Sequence, residues 1–388
     1  MLHGQVHRLA AGLRCRHVLV AFKRALTAKP DARAVGRCIA TALGGAWRSE
    51  PGPFVPGIAG LSPCVETLIR TGAGALVWRR LASMTWRGHP DVDALRRAHH
   101  IDRVRAALNV RSVEATITRM RAVGIEPILL KGWSVAAVYS DPALRPLGDI
   151  DLLVHEIDGA RAQWEADAPD VKRPPIDVHT ALLDLTDRST PALFERSRMI
   201  PLGGISVRVL GWEDHVRHLC LHFFRHAGWR PLWLCDIAAT LEAMPQDFNW
   251  DLCLSGDRLL TERVIAGVGL AGVLLDARPS VPIPARWRQE MPAWLPRAVL
   301  RSWGAPFDPL VYQPTAVSLS LRDPGQVLPA LMRRWPNPLE ATVHRAASLT
   351  GRWRPLVQLE EAGARALGFL RRSRALAAVG STLPSAAR

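Results

Sequence analysis

The sequence predicts an α+β protein, with a small α/β core set inside a largely helical chain. Three observations carry this reading. Apolar residues recur at helical spacing over residues 64–86, over 92–123 and again from 212 to about 277. Short apolar runs bounded by turn residues, the mark of strands, appear only between about residues 125 and 210. Hydrophobic residues make up 48% of the chain and charged residues 22%, which supplies a core and excludes a disordered chain.

The elements follow in order. Residues 1–50 read as Arg-rich helices, and a Pro/Gly stretch covers 51–63. Residues 64–86 read as a helix. In 92–123 the apolar positions Val104, Leu108, Val113, Ile117, Met120 and Val123 share one periodicity, and Gly124 is placed to cap the helix end. Residues 125–130 form a strand that runs into Lys131-Gly132 and a helical piece ending near Tyr139. A turn-rich loop reaches Gly148. Residues 149–154 are strand again, about 159–166 helix, and 176–179 and 205–210 strands. From Trp212 the chain reads as helical to about Ala277. Residues 279–314 are rich in Pro and Trp. Helices then return, with an Arg/Ala/Ser tail after about Arg374. These shifts divide the chain into a helical N-terminal region (1–123), the α/β core (124–210), a helical domain (211–277), and a Pro/Trp-rich segment with C-terminal helices and a flexible tail (278–388).

The net charge is +15, carried almost wholly by arginine, because Lys23, Lys29, Lys131 and Lys172 are the only lysines. A basic surface favours anionic partners such as nucleotides, nucleic acid or acidic peptides. The charge is spread along the chain, so a dedicated nucleic-acid stripe is not indicated. Six cysteines (Cys15, Cys38, Cys64, Cys220, Cys235, Cys253) show no C-x-x-C spacing. They read as reduced, mostly buried thiols of a cytoplasmic protein. The longest apolar run, residues 264–275, is too short to span a bilayer, so no membrane partner is expected.

Chemistry concentrates at Asp149 and Asp151. Side chains two apart on a strand share a face, with Cα atoms roughly 7 Å apart. Two carboxylates at that spacing repel unless a cation lies between them. Upstream, a strand runs through Lys131-Gly132 into a helix start, whose free N–H groups suit phosphate; Ser134 adds a hydroxyl. Downstream, Asp177 lies in another short strand. Three carboxylates make a hard-oxygen site of the kind that Mg²⁺ prefers.

The runs LLKGWSVAAVYSDPALRPLGDIDLLV, IDVHTALLD and LGWEDHVRHLCLHFFRHAGWRPLWLCDIAA together resemble the uncharacterised nucleotidyltransferase family of the DNA polymerase beta superfamily. The likeness runs from about residue 66 to 245 and is strongest over 129–154. It implies a nucleotidyltransferase core built on a small mixed sheet, with helical regions on both sides. It implies that Asp149, Asp151 and Asp177 bind Mg²⁺ or Mn²⁺, with Asp177 also a candidate general base. Lys131, Gly132, Ser134 and Arg145 would hold the triphosphate of an NTP. The reaction would transfer a nucleoside monophosphate to an unknown acceptor, for which a peptide or protein is a candidate. Trp133, standing between Gly132 and Ser134, and Thr180, where Trp is expected, depart from the family's pattern. They motivate an alternative reading as an inactive nucleotide-binding partner or regulatory module of the same fold.

His215, His218, His222 and His226 form one helical stripe. It borders the cleft or packs between helices, and it lacks the H-E-x-x-H zinc pattern. Asp236 reads as a structural or substrate-side partner. Trp229, Trp233, Trp250, Trp287, Trp294 and Trp303 read mostly as core.

Overall fold

A computed structural model describes residues 31–52, 58–82, 88–167, 175–305, 335–351 and 353–381. The helices expected over residues 1–30, and Cys15, therefore lie outside the described residues. The fold is α+β, a five-stranded mixed sheet among helices.

The N-terminal part opens with α1 (Ala32–Leu43), capped by the Asp31 carboxylate on the Arg33 N–H. The helix expected over 64–86 is two, α2 (Val65–Arg70) and α3 (Gly74–Leu81). The break falls at Gly72, whose φ of +77° lies in the left-handed region that only glycine enters cheaply. Helix α4 (Pro90–Ala122) is the longest helix among the described residues, with Pro90 in its first turn and His89 capping Asp91 N. Asp91 and Asp93 sit at its positive end, and Arg119 and Arg121 at its negative end. Gly124 (φ +83°) terminates it.

The sheet follows. Strand β1 (Ile128–Leu129) leads into the four-residue helix α5 (Trp133–Ala136), much shorter than the piece expected to reach Tyr139. Strand β2 (Ile150–Leu153), helix α6 (Gly159–Asp167) and strand β3 (Ile176–His179) come next. Helix α7 (Thr190–Glu195) precedes the hairpin β4 (Arg198–Leu202) and β5 (Ile205–Val209). The order is β3-β2-β1-β5-β4, with β2–β3 and β1–β5 parallel and β1–β2 and β4–β5 antiparallel.

Strand β2 is flanked on both sides, and its alternation decides the layout. Ile150, Leu152 and Val154 join the cluster formed with Val113, Ile117 and Met120 of α4. Leu153, on the other face, joins the larger helical core. Asp151 shares the parity of Leu153, so the acids are turned toward the helical side rather than toward α4.

That side is built by α8 (Trp212–Arg225), α9 (Pro231–Ala243), α10 (Trp250–Leu254) and α11 (Arg258–Leu275). Helix α12 (Trp294–Gly304) lies inside the segment read as merely Pro/Trp-rich. Helices α13 (Pro338–His344) and α14 (Arg354–Ser381) are the last described elements, and α14 takes in residues 374–381, part of the stretch read as a tail. Trp250 and Trp303 are buried as expected, whereas Trp229 is exposed. Five cysteines are free thiols, four of them buried. Among the described residues no helix is long and apolar enough to cross a membrane.

Helices α1 and α12 cross in backbone contact. A Cβ at Gly36 would lie 1.9 Å from the Leu300 carbonyl oxygen, and one at Gly304 1.8 Å from that of Ala32. Gly36→Ala is therefore expected to force the helices apart and lower stability by about 2–3 kcal/mol. Urea unfolding checks this, and a midpoint equal to the wild type's would contradict it.

Candidate active site

The register of β2 and β3 assembles the acids. Asp151 pairs directly with Asp177 across the two parallel strands, and Asp149 stands immediately before β2, two residues ahead of Asp151. One ligand oxygen from each of Asp149, Asp151 and Asp177 lies within 4.8 Å of the others. No other such group of three ligating side chains occurs among the described residues. The histidine stripe is not part of that group. Asp149 and Asp177 are exposed, while Asp151 is 3% exposed.

A buried carboxylate needs partners. Lys131 Nζ lies 3.0 Å and His179 Nε2 3.1 Å from the same Asp151 oxygen, Oδ1. Burial pushes the Asp151 carboxyl up, but His179 and Lys131 more than offset this and hold it at about 2. Both contacts fall on Oδ1, which leaves Oδ2 for another ligand. From the sequence, His179 reads only as part of a strand. Its side of β3, the same as that of Asp177, was the available signal.

The acids floor a cleft of about 330 Å³, a size within the range of small-molecule sites. One wall is the Lys131-Gly132 turn, where Gly132 holds φ +83°. That positive φ is what calls for glycine, and a Cβ there would in addition meet Leu147 Cδ2 at 2.9 Å. Asp184, His218, His222, Arg225 and His226 also line the cleft, as do Arg230 and Trp233.

Two expected phosphate ligands are placed otherwise. Ser134 is 2% exposed and its hydroxyl donates to the Leu130 carbonyl at 2.8 Å, so it faces its own helix turn and is not among the cleft residues. Arg145 lines the cleft, but its guanidinium is committed to Asp236, with Nη2 2.8 Å from Oδ2 and the pair 5% and 1% exposed. Tyr139 also donates to Asp236, at 2.7 Å. Asp236 is thus the structural counter-charge of Arg145, the first of the two roles the sequence left open. The cleft cation without a carboxylate partner among the described residues is Arg230, which donates to the Thr71 carbonyl at 2.7 Å. Burial, and then Arg145 nearby, lower its guanidinium to about 10. An anion in the cleft would offset both effects. No motif signals Arg230 in the sequence, because its role depends on Arg145 being taken by Asp236.

Of the stripe, His218, His222 and His226 border the cleft, whereas His215 is packed away at 1% exposed with neither ring nitrogen hydrogen-bonded. Burial lowers His215 to about 3 and His218 to about 4. An unfolded chain takes up each proton near 6.5. Below that pH the unfolded state binds more protons than the folded one, so stability falls as pH falls. Between pH 6.5 and 5 the two histidines together are expected to cost about 3 kcal/mol. Denaturant unfolding across that range checks this, and constant stability would contradict it.

No curated protein and no solved structure matches the chain. The model of a family described as uncharacterised nucleotidyltransferase matches residues 62–263. That match takes in α2 to β5, the three acids, the Lys131-Gly132 turn and the α8–α9 wall. It spans just over half of the 388 residues, and the chain belongs to the uncharacterised nucleotidyltransferase family.

Proposed function

We propose that the protein is a Mg²⁺-dependent nucleotidyltransferase that moves a nucleoside monophosphate from an NTP to an acceptor and releases pyrophosphate. The observation that carries this is the grouping of Asp149, Asp151 and Asp177 at the floor of a cleft walled by a glycine turn and cations. The donor set fits the ion, because three carboxylates are the hard oxygen ligands that Mg²⁺, or Mn²⁺, takes. When bound there, the ion would neutralise charge on the triphosphate and on the reacting oxygens.

The chain's own residues do the rest. Gly132 lets the backbone approach the phosphates, and Lys131 and Arg230 supply positive charge. Arg145, fixed by Asp236, holds the wall in place. The work is positioning and charge stabilisation rather than covalent catalysis. Arg230→Ala is expected to weaken ATP binding about tenfold, the cost of one charge-assisted contact. Calorimetry checks this, and an unchanged Kd would contradict it.

Residues 124–210 act in this reading as the catalytic core and 211–277 as a helical domain closing the site. The free thiols suit a cytoplasmic location. A peptide or protein is the acceptor class we would test first. The test is incubation with each α-labelled NTP, Mg²⁺ and cell extract. A labelled product is expected from at least one NTP. Binding of NTP with no labelled product from any of them would sink the reading in favour of a non-catalytic module.

A further inference from the structure

The cleft lining also holds a carboxylate that the three-acid site does not use. Asp184 is 8% exposed, and its Oδ2 lies 3.2 Å from His222 Nδ1 and 3.8 Å from His218 Nδ1. Arg225 Nη1 reaches its other oxygen at 3.4 Å. Burial pushes the Asp184 carboxyl up, but His222, His218 and Arg225 hold it well below the usual carboxylate range. It is therefore ionised and accepts hydrogen bonds only. His222 Nδ1 must then carry the proton, which leaves the lone pair on Nε2. His226 and Trp233 pack on the same ring, at 4.6 and 4.8 Å between centroids, and fix its orientation. A carboxylate that sets the tautomer of a packed imidazole is the arrangement of a general base.

We propose that Asp184 and His222 form an acid–base dyad that takes the proton of the acceptor, and that the acceptor is accordingly a hydroxyl. The inference rests on the nucleotidyl-transfer reading. The acceptor O–H gives its proton to His222 Nε2 as its oxygen bonds to the α-phosphorus. The bond from that phosphorus to the bridging oxygen breaks, and pyrophosphate leaves with the electron pair. A phosphate or carboxylate acceptor is already ionised at neutral pH and needs no base. The ionised Asp184 would also repel it. His218, neutral because burial lowers it to about 4, adds no charge to attract one. Asp177, exposed and grouped with two other acids, is left to hold the cation rather than the proton. His222 touches the reacting hydroxyl and is catalytic, while Asp184 acts through it as a positioning residue.

The test uses the full chain, α-labelled ATP, Mg²⁺ and the protein fraction of a cell extract, with His222→Ala, His222→Gln and Asp184→Asn beside the wild type. Both His222 variants are expected to lose at least a hundredfold in transfer rate while ATP affinity by calorimetry stays within twofold. Imidazole added to His222→Ala is expected to restore part of the rate, which a merely structural role for the ring would not allow. Asp184→Asn is expected to lower kcat with little change in KM for ATP. The labelled product is expected to resist hydroxylamine, as a phosphodiester does and an acyl phosphate does not. Wild-type transfer with undiminished transfer by the folded His222→Gln protein, a loss that imidazole does not reverse, or a hydroxylamine-labile product would overturn the dyad and leave nucleotidyl transfer standing. No transfer by the wild type overturns both.

Discussion

Asp151→Asn is expected to reduce nucleotidyl transfer by on the order of 10³-fold or more while the protein still folds. The carboxylate is the best buried of the three acids and sits in register with Asp177, so it is the member through which the group is joined. An amide keeps the shape but removes the charge that would bind a cation. The stability cost is limited by where its partners sit. Lys131 and His179 have side chains 22% and 37% exposed, so both regain water when the charge is lost. About 1–2 kcal/mol is expected, well short of unfolding. Asp149→Asn, at an exposed position, is expected to remove transfer with even less effect on folding. Label transfer measured beside thermal unfolding separates the two effects. Wild-type rates in a folded Asp151→Asn protein would remove this acid from the reaction.

The second large effect concerns stability. Asp236→Ala leaves the Arg145 guanidinium, 5% exposed, without its counter-charge, and the Tyr139 hydroxyl without its acceptor. Removing one partner of a buried pair exposes the uncompensated desolvation of the other, typically about 3–5 kcal/mol. The pair joins the loop before β2 to α9, so the same change should loosen the wall of the cleft. Equilibrium unfolding in urea checks this. A loss below about 1 kcal/mol would mean that Arg145 finds other partners and is freer to meet phosphate than its geometry indicates.

The site was legible in the sequence where its geometry follows from strand alternation. Asp149 and Asp151 share a face because a strand has a period of two, and that needs no tertiary information. Asp177 reads from the sequence as a third carboxylate on a neighbouring short strand, and the parallel register that sets it beside Asp151 comes only with the assembled sheet. Ser134 donates to Leu130, four residues back on its own turn, whereas Arg145 lines the cleft but is held by Asp236 of a distant helix, a partner that only long-range packing decides. The same holds for Arg230 and for the Asp184–His222 pair, each meaningful only once α8 and α9 are set against the sheet.

The fold class was carried by periodicity, while element ends and breaks were not. Strand β4 went unseen because Pro201 interrupts its pattern. As an edge strand it tolerates that proline, and the Gly203-Gly204 turn was the signal for the hairpin. Helix α12 was hidden by Pro296 and its tryptophans, although a proline in a first helical turn is compatible with the helix.

In the proposed reaction the α-phosphoryl group, with its nucleoside, is what moves. Purified protein, Mg²⁺, cell extract and the accepted NTP, labelled in parallel at the α and at the γ phosphate, follow both halves of the triphosphate. The α label is expected in the acceptor and the γ label in free pyrophosphate, in equal amounts, with both lost in Asp149→Asn. Label from the γ position in the acceptor, or α label transferred equally well by Asp149→Asn, would contradict that reaction.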